Sequence, residues 1–370
     1  MSNKIVYFAG LNGIRAIAAI AVVISHITIA LNDFGLNPHI FGSFNDGTPK
    51  GYILGGYGVT VFFVLSGFLI TYLLLCEKDI GPINIKKFYI RRILRIWPLY
   101  YLYLLIAVTV IILYGLDFSI KSLILYLFYA ANVPFILGIG LPFIGHYWSL
   151  GVEEQFYLFW PWFIKKTKNL IVPIFTMTIG LVGIKLMLHM FYPNSLLESI
   201  IHVTRFHCMM IGAMGAILLK KDNALFLKSV DNKFTQLFCW FLLLLVAINK
   251  FHFISVIDNE IISVVSLFLI IGQIRKRNRI VNLDNNLFDF LGKISYGIYV
   301  IHPLLIFFFS KLLNGIEVNI YWKYCIVYFS ILSTTIFISY ISFEYFEKFF
   351  LKLKKNFVVV NSTATKNEFN

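Results

Sequence analysis

Charge is what this chain has least of. Only 14% of its 370 residues are Asp, Glu, Lys or Arg, against about a quarter in an ordinary soluble domain. Acidic residues are the scarcer kind, 18 against 32 basic, for a formal net charge of +14. The four cysteines, Cys76, Cys208, Cys239 and Cys325, are scattered with no CxxC and no short-loop pairing. Neither a disulfide framework nor a zinc site is implied. There is no internal repeat and no low-complexity linker. The first apolar run ends without a small-residue cleavage site, so it is expected to persist as a helix. No second soluble domain is expected beside the apolar runs, so any chemistry is expected of the apolar part itself.

Long hydrophobic runs fill the space those absences leave. The chain is 59% hydrophobic, and stretches of roughly 18 or more apolar residues recur from end to end, the length a helix needs to cross a bilayer. Candidate spans fall at 14–31, 55–75, 96–114, 121–138, 147–164, 170–192, 199–219, 234–250, 258–274, 290–313 and 321–345. The placement of Lys and Arg favours ten crossings rather than eleven. If 121–138 is a re-entrant or interfacial helix, broken around Asn132–Pro134, then 25 of the 32 basic residues fall on one side. Five (Lys50, Lys121, Lys250, Lys311 and Lys323) fall on the other, and Lys185 and Arg205 lie inside spans. The positive-inside rule makes the first side cytoplasmic and puts both termini there. The expected fold class is therefore all-α. It is a polytopic membrane helical bundle over residues 1–350, with about ten transmembrane helices plus one re-entrant or interfacial helix. Residues 351–370 are expected to form a polar, disordered cytoplasmic tail.

The positive charge could point to nucleic acid, but its arrangement does not. It sits in short blocks between apolar runs: KKFYIRRILR, KKTK, LLKK, RKRNR and LKLKK. That is the pattern of loops on one side of a membrane. Membrane lipids are the expected surroundings, and no nucleic-acid partner is expected.

Ionisable residues inside spans are costly in lipid and mark function by default. Here they are Arg15, His26, Glu153, Glu154, Lys185, His189, His202, Arg205, His207, His302 and Glu344. Lys185 and His189 read as structural groups or as side chains reaching for an interface. Glu344 reads as an i,i+4 partner of Lys348. Three stretches ask for more. In LNGIRAIAAIAVVISHI (11–27), eleven residues separate Arg15 from His26, three helical turns plus about 20°, so both project from one face about 16 Å apart. In WSLGVEEQFY (148–157), Glu153 and Glu154 point about 100° apart. One of them is placed to orient the His26 imidazole, as in a catalytic His–carboxylate pair, and a salt bridge to Arg205 is the alternative. In FYIRRILRIWP (88–98), Arg91, Arg92 and Arg95 form a basic collar that either anchors topology or binds phosphate. GVTVFFVLSGFLI (58–70) contributes Ser66 and Gly67, small residues that let helices approach closely. ISYGIYVIHP (294–303) contributes Tyr296, Tyr299 and His302, with Pro303 expected to bend the helix there.

Taken in order, these stretches resemble the acyltransferase-3 family of integral-membrane acyltransferases, which O-acylate surface and secreted carbohydrates in bacteria. The resemblance rests on Arg15…His26, FFVLSGFLI, RRILRIWPLY, HYWSLGVEEQFYLFWP and SYGIYVIHP. It implies transfer of an acyl group, acetyl above all, from cytoplasmic acyl-CoA to a sugar hydroxyl beyond the membrane. The acceptor it implies is a cell-surface or lipid-linked polysaccharide such as O-antigen, capsule or exopolysaccharide. By analogy His26 is the catalytic histidine and Arg15 its essential partner; from their placement, Glu153 and Glu154 are the expected catalytic carboxylates. Expected substrate contacts are Arg91, Arg92, Arg95, Ser66, Trp148, Ser149, Tyr157, Arg205, Tyr296 and His302. No permanently bound cofactor and no metal are expected; acyl-CoA is the donor substrate. Some members carry a C-terminal soluble acyltransferase domain. Its lack here implies that the membrane domain acts alone or passes its acyl group to a separate protein. The expected location is a bacterial cytoplasmic membrane.

In the mechanism expected from these residues, the arginines hold the donor phosphates and Glu153 holds the imidazole. His26 serves either as general base toward the acceptor hydroxyl or as acyl carrier. Two other function classes are weighed against it. A transporter or flippase would show internal repeats with broken helices in matching positions, and neither is present. A non-catalytic subunit of a polysaccharide-synthesis complex would not require His, Arg and carboxylate in this order.

Overall fold

The computed structural model describes residues 6–44, 47–360 and 362–363, and the structural statements that follow concern those residues. Apolar stretches become helices because hydrocarbon offers no partner to an open backbone N–H or C=O, so each span must satisfy its own. The chain opens with a two-residue strand β1 (Val6–Tyr7) and helices α1 (Leu11–Ile29), α2 (Ile53–Ile80) and α3 (Ile85–Leu113). Two short helices follow, α4 (Ile120–Leu127) and α5 (Asn132–Ile136), then α6 (Trp148–Lys166) and α7 (Ile171–Phe191). Next come α8 (Leu196–Thr204), α9 (Phe206–Lys220), α10 (Ala224–Val230), α11 (Lys233–Ala247) and α12 (Asp258–Arg275). The bundle closes with α13 (Asn286–Lys293), α14 (Ser295–Leu313), α15 (Ile320–Ser342), α16 (Lys348–Lys354) and β2 (Ser362–Thr363). Several starts are fixed by caps the sequence supplies: Asn84, Asn232, Asn285 and Asn319 each accept a hydrogen bond from a backbone N–H of the turn they open.

Seven helices are long and apolar enough to cross a bilayer, and eight if α10 and α11, bent by 54° at their junction, count as one span. Helices α6 and α12, 19 and 18 residues long, have the length as well but carry charge, Glu153 and Glu154 on one and Asp258 and Glu260 on the other. These two and the eight occupy the ten stretches read as spans. The eleventh stretch, 121–138, holds only α4 and α5, 8 and 5 residues long. At 1.5 Å per residue neither crosses about 30 Å of hydrocarbon.

Helix α2 lies at the centre, packed on α1, α6, α9 and α12. Its contact with α9 is backbone on backbone: a Cβ on Gly67 would collide with the Met209 carbonyl, and one on Gly212 with the Val64 carbonyl. Small residues at both positions are what permit the approach, the usual device between membrane helices. Between α8 and α9, Arg205 takes a left-handed conformation, φ 43°, which costs a residue with a Cβ. Its guanidinium fixes the break by donating to the Gly56 carbonyl, Thr60 Oγ1 and Asn259 Oδ1, each at 3.2 Å.

The ends of the described chain meet on one face, where β1 pairs in parallel with β2, Val6 opposite Ser362 and Tyr7 opposite Thr363. Of the segment expected to be a disordered tail, residues 351–360 and 362–363 are ordered here. A 3₁₀ turn at Lys355–Phe357 follows α16, and the Phe357 carbonyl accepts from Arg91 Nη1 at 3.0 Å. Residues 361 and 364–370 of that segment lie outside the described residues.

Candidate active site

Five helices, α1, α2, α3, α6 and α14, line a cavity that is partly open to its surroundings. Arg15 enters it from α1, Arg92 and Arg95 from α3, Ser66 from α2, Ser149, Glu153 and Tyr157 from α6, and Tyr296 and Tyr299 from α14. Helical spacing explains the convergence. Arg92 and Arg95 are three apart and Ser149, Glu153 and Tyr157 four apart, so each set lies along one side of its helix.

One carboxylate faces the three guanidiniums. Glu153 Oε1 accepts from Ser66 Oγ at 2.9 Å and Oε2 from Tyr157 OH at 3.0 Å. Neither Arg15, Arg92 nor Arg95 makes a salt bridge among the described residues, and Arg92 Nε is buried without a hydrogen-bond partner. Arg92 lies over the rings of Phe88 and Tyr157, 5.8 Å from each centroid. The cavity therefore carries more positive than negative charge.

Toward its other end, Ser149 Oγ and Tyr299 OH are 2.6 Å apart, and Tyr299 OH donates to the His146 carbonyl at 2.8 Å. Beyond them lie three imidazoles. His302 Nε2 is 2.7 Å from His26 Nδ1, and the His146 ring is 5.3 Å from that of His302. His302 and His146 are buried, whereas His26 is only partly so. No group of three or more His, Cys, Asp or Glu among the described residues is arranged to hold a metal ion.

Several residues singled out from the sequence lie elsewhere. Glu153 does not hold the His26 imidazole, because both its oxygens are turned to Ser66 and Tyr157 inside the cavity; His302 holds it instead. Glu154, one residue on and so about 100° round the helix, leaves the cavity and accepts from Trp97 Nε1 at 3.4 Å. Arg91 is withdrawn from the collar by a buried salt bridge to Glu77. Arg205 pairs with neither Glu153 nor Glu154. It is spent on the α8–α9 break, its guanidinium 5.5 Å from the Trp148 ring centroid, and Trp148 itself stacks on Phe135. Lys185 and His207 both meet Glu260, at 2.7 and 2.8 Å, and His189 meets Glu198 at 2.7 Å. Glu344 pairs with Lys348 at 2.7 Å, as the i,i+4 spacing implied.

Sequence reasoning passed over His146. It stands at the head of HYWSLGVEEQFYLFWP, two residues before α6 begins, where an isolated histidine reads as a loop residue. Its signal was adjacency to a motif already singled out, and its partner across the fold, Val300 O at 3.2 Å, is 154 residues away.

Comparison with known proteins gives one domain and several relatives. The family model described as an acyltransferase domain matches residues 8–344. A protein of Staphylococcus aureus (strain COL) is 28% identical over 377 residues, 95% of this chain and 58% of its own length. The O-acetyltransferase OatA of Staphylococcus aureus (strain NCTC 8325 / PS 47) is 26% identical over 85% of this chain and 53% of its own. The peptidoglycan O-acetyltransferase OatA of Listeria monocytogenes serovar 1/2a is 33% identical over 43% of this chain and 24% of its own. The chain thus spans little more than half the length of the first of these relatives. No solved structure matches.

Proposed function

From the fact that this chain belongs to the acyltransferase-3 family, we propose that it is a membrane O-acyltransferase. It moves an acyl group, acetyl above all, from acyl-CoA on the cytoplasmic face to a hydroxyl of a cell-surface or lipid-linked glycan on the other. The observation that carries this reading is the excess of unpaired guanidinium in the cavity: Arg15, Arg92 and Arg95 surround one carboxylate, and Arg15 stands on the helix that presents His26 about 16 Å further along. A donor bearing a diphosphate and a further phosphate is the partner such a cluster suits, since arginine binds phosphate in bidentate fashion.

The donor enters past the arginines, on the face where the described chain ends meet and where most Lys and Arg are expected to be cytoplasmic. Its pantetheine arm runs between Glu153 and Tyr299 toward the imidazoles. Ser149 and Tyr299, hydroxyls at the far end of the cavity, line the path of that arm. His26 then acts on the acyl carbon or on the acceptor hydroxyl, and the acyl oxygen and nitrogen chemistry of both routes needs the same free ring nitrogen. The acceptor belongs to the surface polysaccharides, with peptidoglycan among them because the Listeria relative is named for it.

Mass spectrometry of surface glycans from cells with and without the gene tests the function. Loss of an acyl mass from one glycan is the expected result; identical acylation in both strains overturns it.

A further inference from the structure

We propose that His302 is a positioning residue that fixes the tautomer of His26, leaving His26 Nε2 as the bare, reactive nitrogen. The inference rests on the acyltransferase reading above and adds to it the identity of the group that orients the catalytic ring.

Two bonds determine the proton positions. His302 Nδ1 lies 3.1 Å from the Ile298 carbonyl oxygen, and a carbonyl oxygen can only accept, so His302 Nδ1 carries the proton. In the neutral ring the other nitrogen, Nε2, then presents a lone pair. That nitrogen is 2.7 Å from His26 Nδ1, a distance at which one of the two must donate. With His302 Nε2 as acceptor, His26 Nδ1 carries its proton, and His26 Nε2 is left with a lone pair and no protein partner among the described residues. No carboxylate pairs with His26, His302 or His146 among those residues. The orienting task that a carboxylate performs in serine hydrolases therefore falls to a second imidazole, itself held by a helical carbonyl one turn back. His302 is wholly buried while His26 is only partly so, which leaves the reacting ring the more accessible of the two.

The same tautomer serves both routes. As general base, His26 Nε2 takes the proton as the acceptor O–H bond breaks. The oxygen bonds to the acyl carbon, the C–S bond to CoA breaks, and the proton passes on to the thiolate, so thioester and alcohol become ester and thiol. As acyl carrier, Nε2 bonds to the acyl carbon while C–S breaks and CoA leaves as thiolate; the acceptor oxygen then displaces Nε2, which takes the acceptor's proton and passes it on to the thiolate, again giving ester and thiol. In each case Nδ1–H stays on His302, which keeps the ring from turning its protonated edge to the substrate.

Two substitutions separate this role from mere packing. His302→Asn places an amide at the depth of Nδ1, keeping the bond to Ile298 but removing the acceptor for His26. His302→Gln reaches further and restores an acceptor oxygen near the position of Nε2. Acyl transfer from acetyl-CoA is measured in membranes holding equal amounts of wild type, both variants and His26→Ala. His302→Asn is expected to lose about 100-fold in kcat, the scale of a general-base contribution, with KM for acetyl-CoA within about twofold; His302→Gln is expected to retain most of the rate. Equal rates for the two variants, or Asn above Gln, overturn the proposal, as does a loss carried by KM alone. If His26→Ala is as active as wild type, the acyltransfer reading itself fails; if His26→Ala is dead while His302→Asn is fully active, only the positioning role fails.

Discussion

Replacing His26 with alanine is expected to reduce acyl transfer to below about 1% of wild type, the scale on which a positioned base or nucleophile acts. Protein abundance in the membrane should not change. His26 lies in α1 with only part of its ring buried, and its single side-chain bond is to His302. Alanine removes one ring from the edge of the imidazole cluster and leaves the α1–α2 contact intact. Acyl transfer per milligram of extracted protein checks this; full activity in the variant would remove His26 from the chemistry. The residual rate distinguishes the two routes no further, because base and carrier both need Nε2.

The second large effect is expected at the arginines. Arg92→Ala and Arg95→Ala should each raise KM for acetyl-CoA about tenfold or more, with a smaller effect on kcat. Hydrogen bonds to charged groups contribute about 1.5–3 kcal/mol, and about 1.4 kcal/mol is a factor of ten. Both side chains line the cavity without a salt bridge among the described residues. Arg91→Ala provides the contrast. It strands Glu77, 3% exposed, and severing a buried pair costs about 3–5 kcal/mol. That variant should therefore lose thermal stability in detergent while its KM stays near wild type. A collar acting as one electrostatic unit would instead give three similar KM values, and the proposal that Arg92 and Arg95 rather than Arg91 meet the donor would fail.

The contrast between Arg91 and its neighbours also shows where sequence stops being informative. That Arg15 and His26 share a face follows from 3.6 residues per turn, and the structure keeps both in one unbroken helix. That 121–138 fails to cross followed from counting charges. Periodicity within a helix is a local property, and such properties are legible. The partner of each buried polar group is not, because it is chosen by tertiary packing. Glu77 reaches Arg91 from the end of another helix, His302 meets His26 across 276 residues, and Glu153 turns to Ser66 across 87. The sequence therefore pointed to a carboxylate beside His26 when the fold supplies an imidazole. It also could not tell which of two adjacent glutamates would face the cavity; a helix separates them by about 100°, and only the packing of α2 and α3 on α6 decides. The basic collar read as one patch because its three residues sit within one and a half turns, yet one of them is buried in an ion pair and two face the cavity.

The central claim is that a donor held at the cavity arginines on one face of the membrane gives up its acyl group at His26, which stands beyond the cavity lining and toward the other face. The most direct test is a sidedness measurement in sealed proteoliposomes of uniform orientation, loaded inside with acetyl-CoA carrying a radiolabelled acetyl group and given a chito-oligosaccharide outside. Wild type is predicted to deliver label to the outer medium, as ester or as acetate, while unlabelled CoA accumulates inside, and His26→Ala is predicted to deliver none. Release of CoA with all label retained inside, or equal delivery by His26→Ala, would contradict the account.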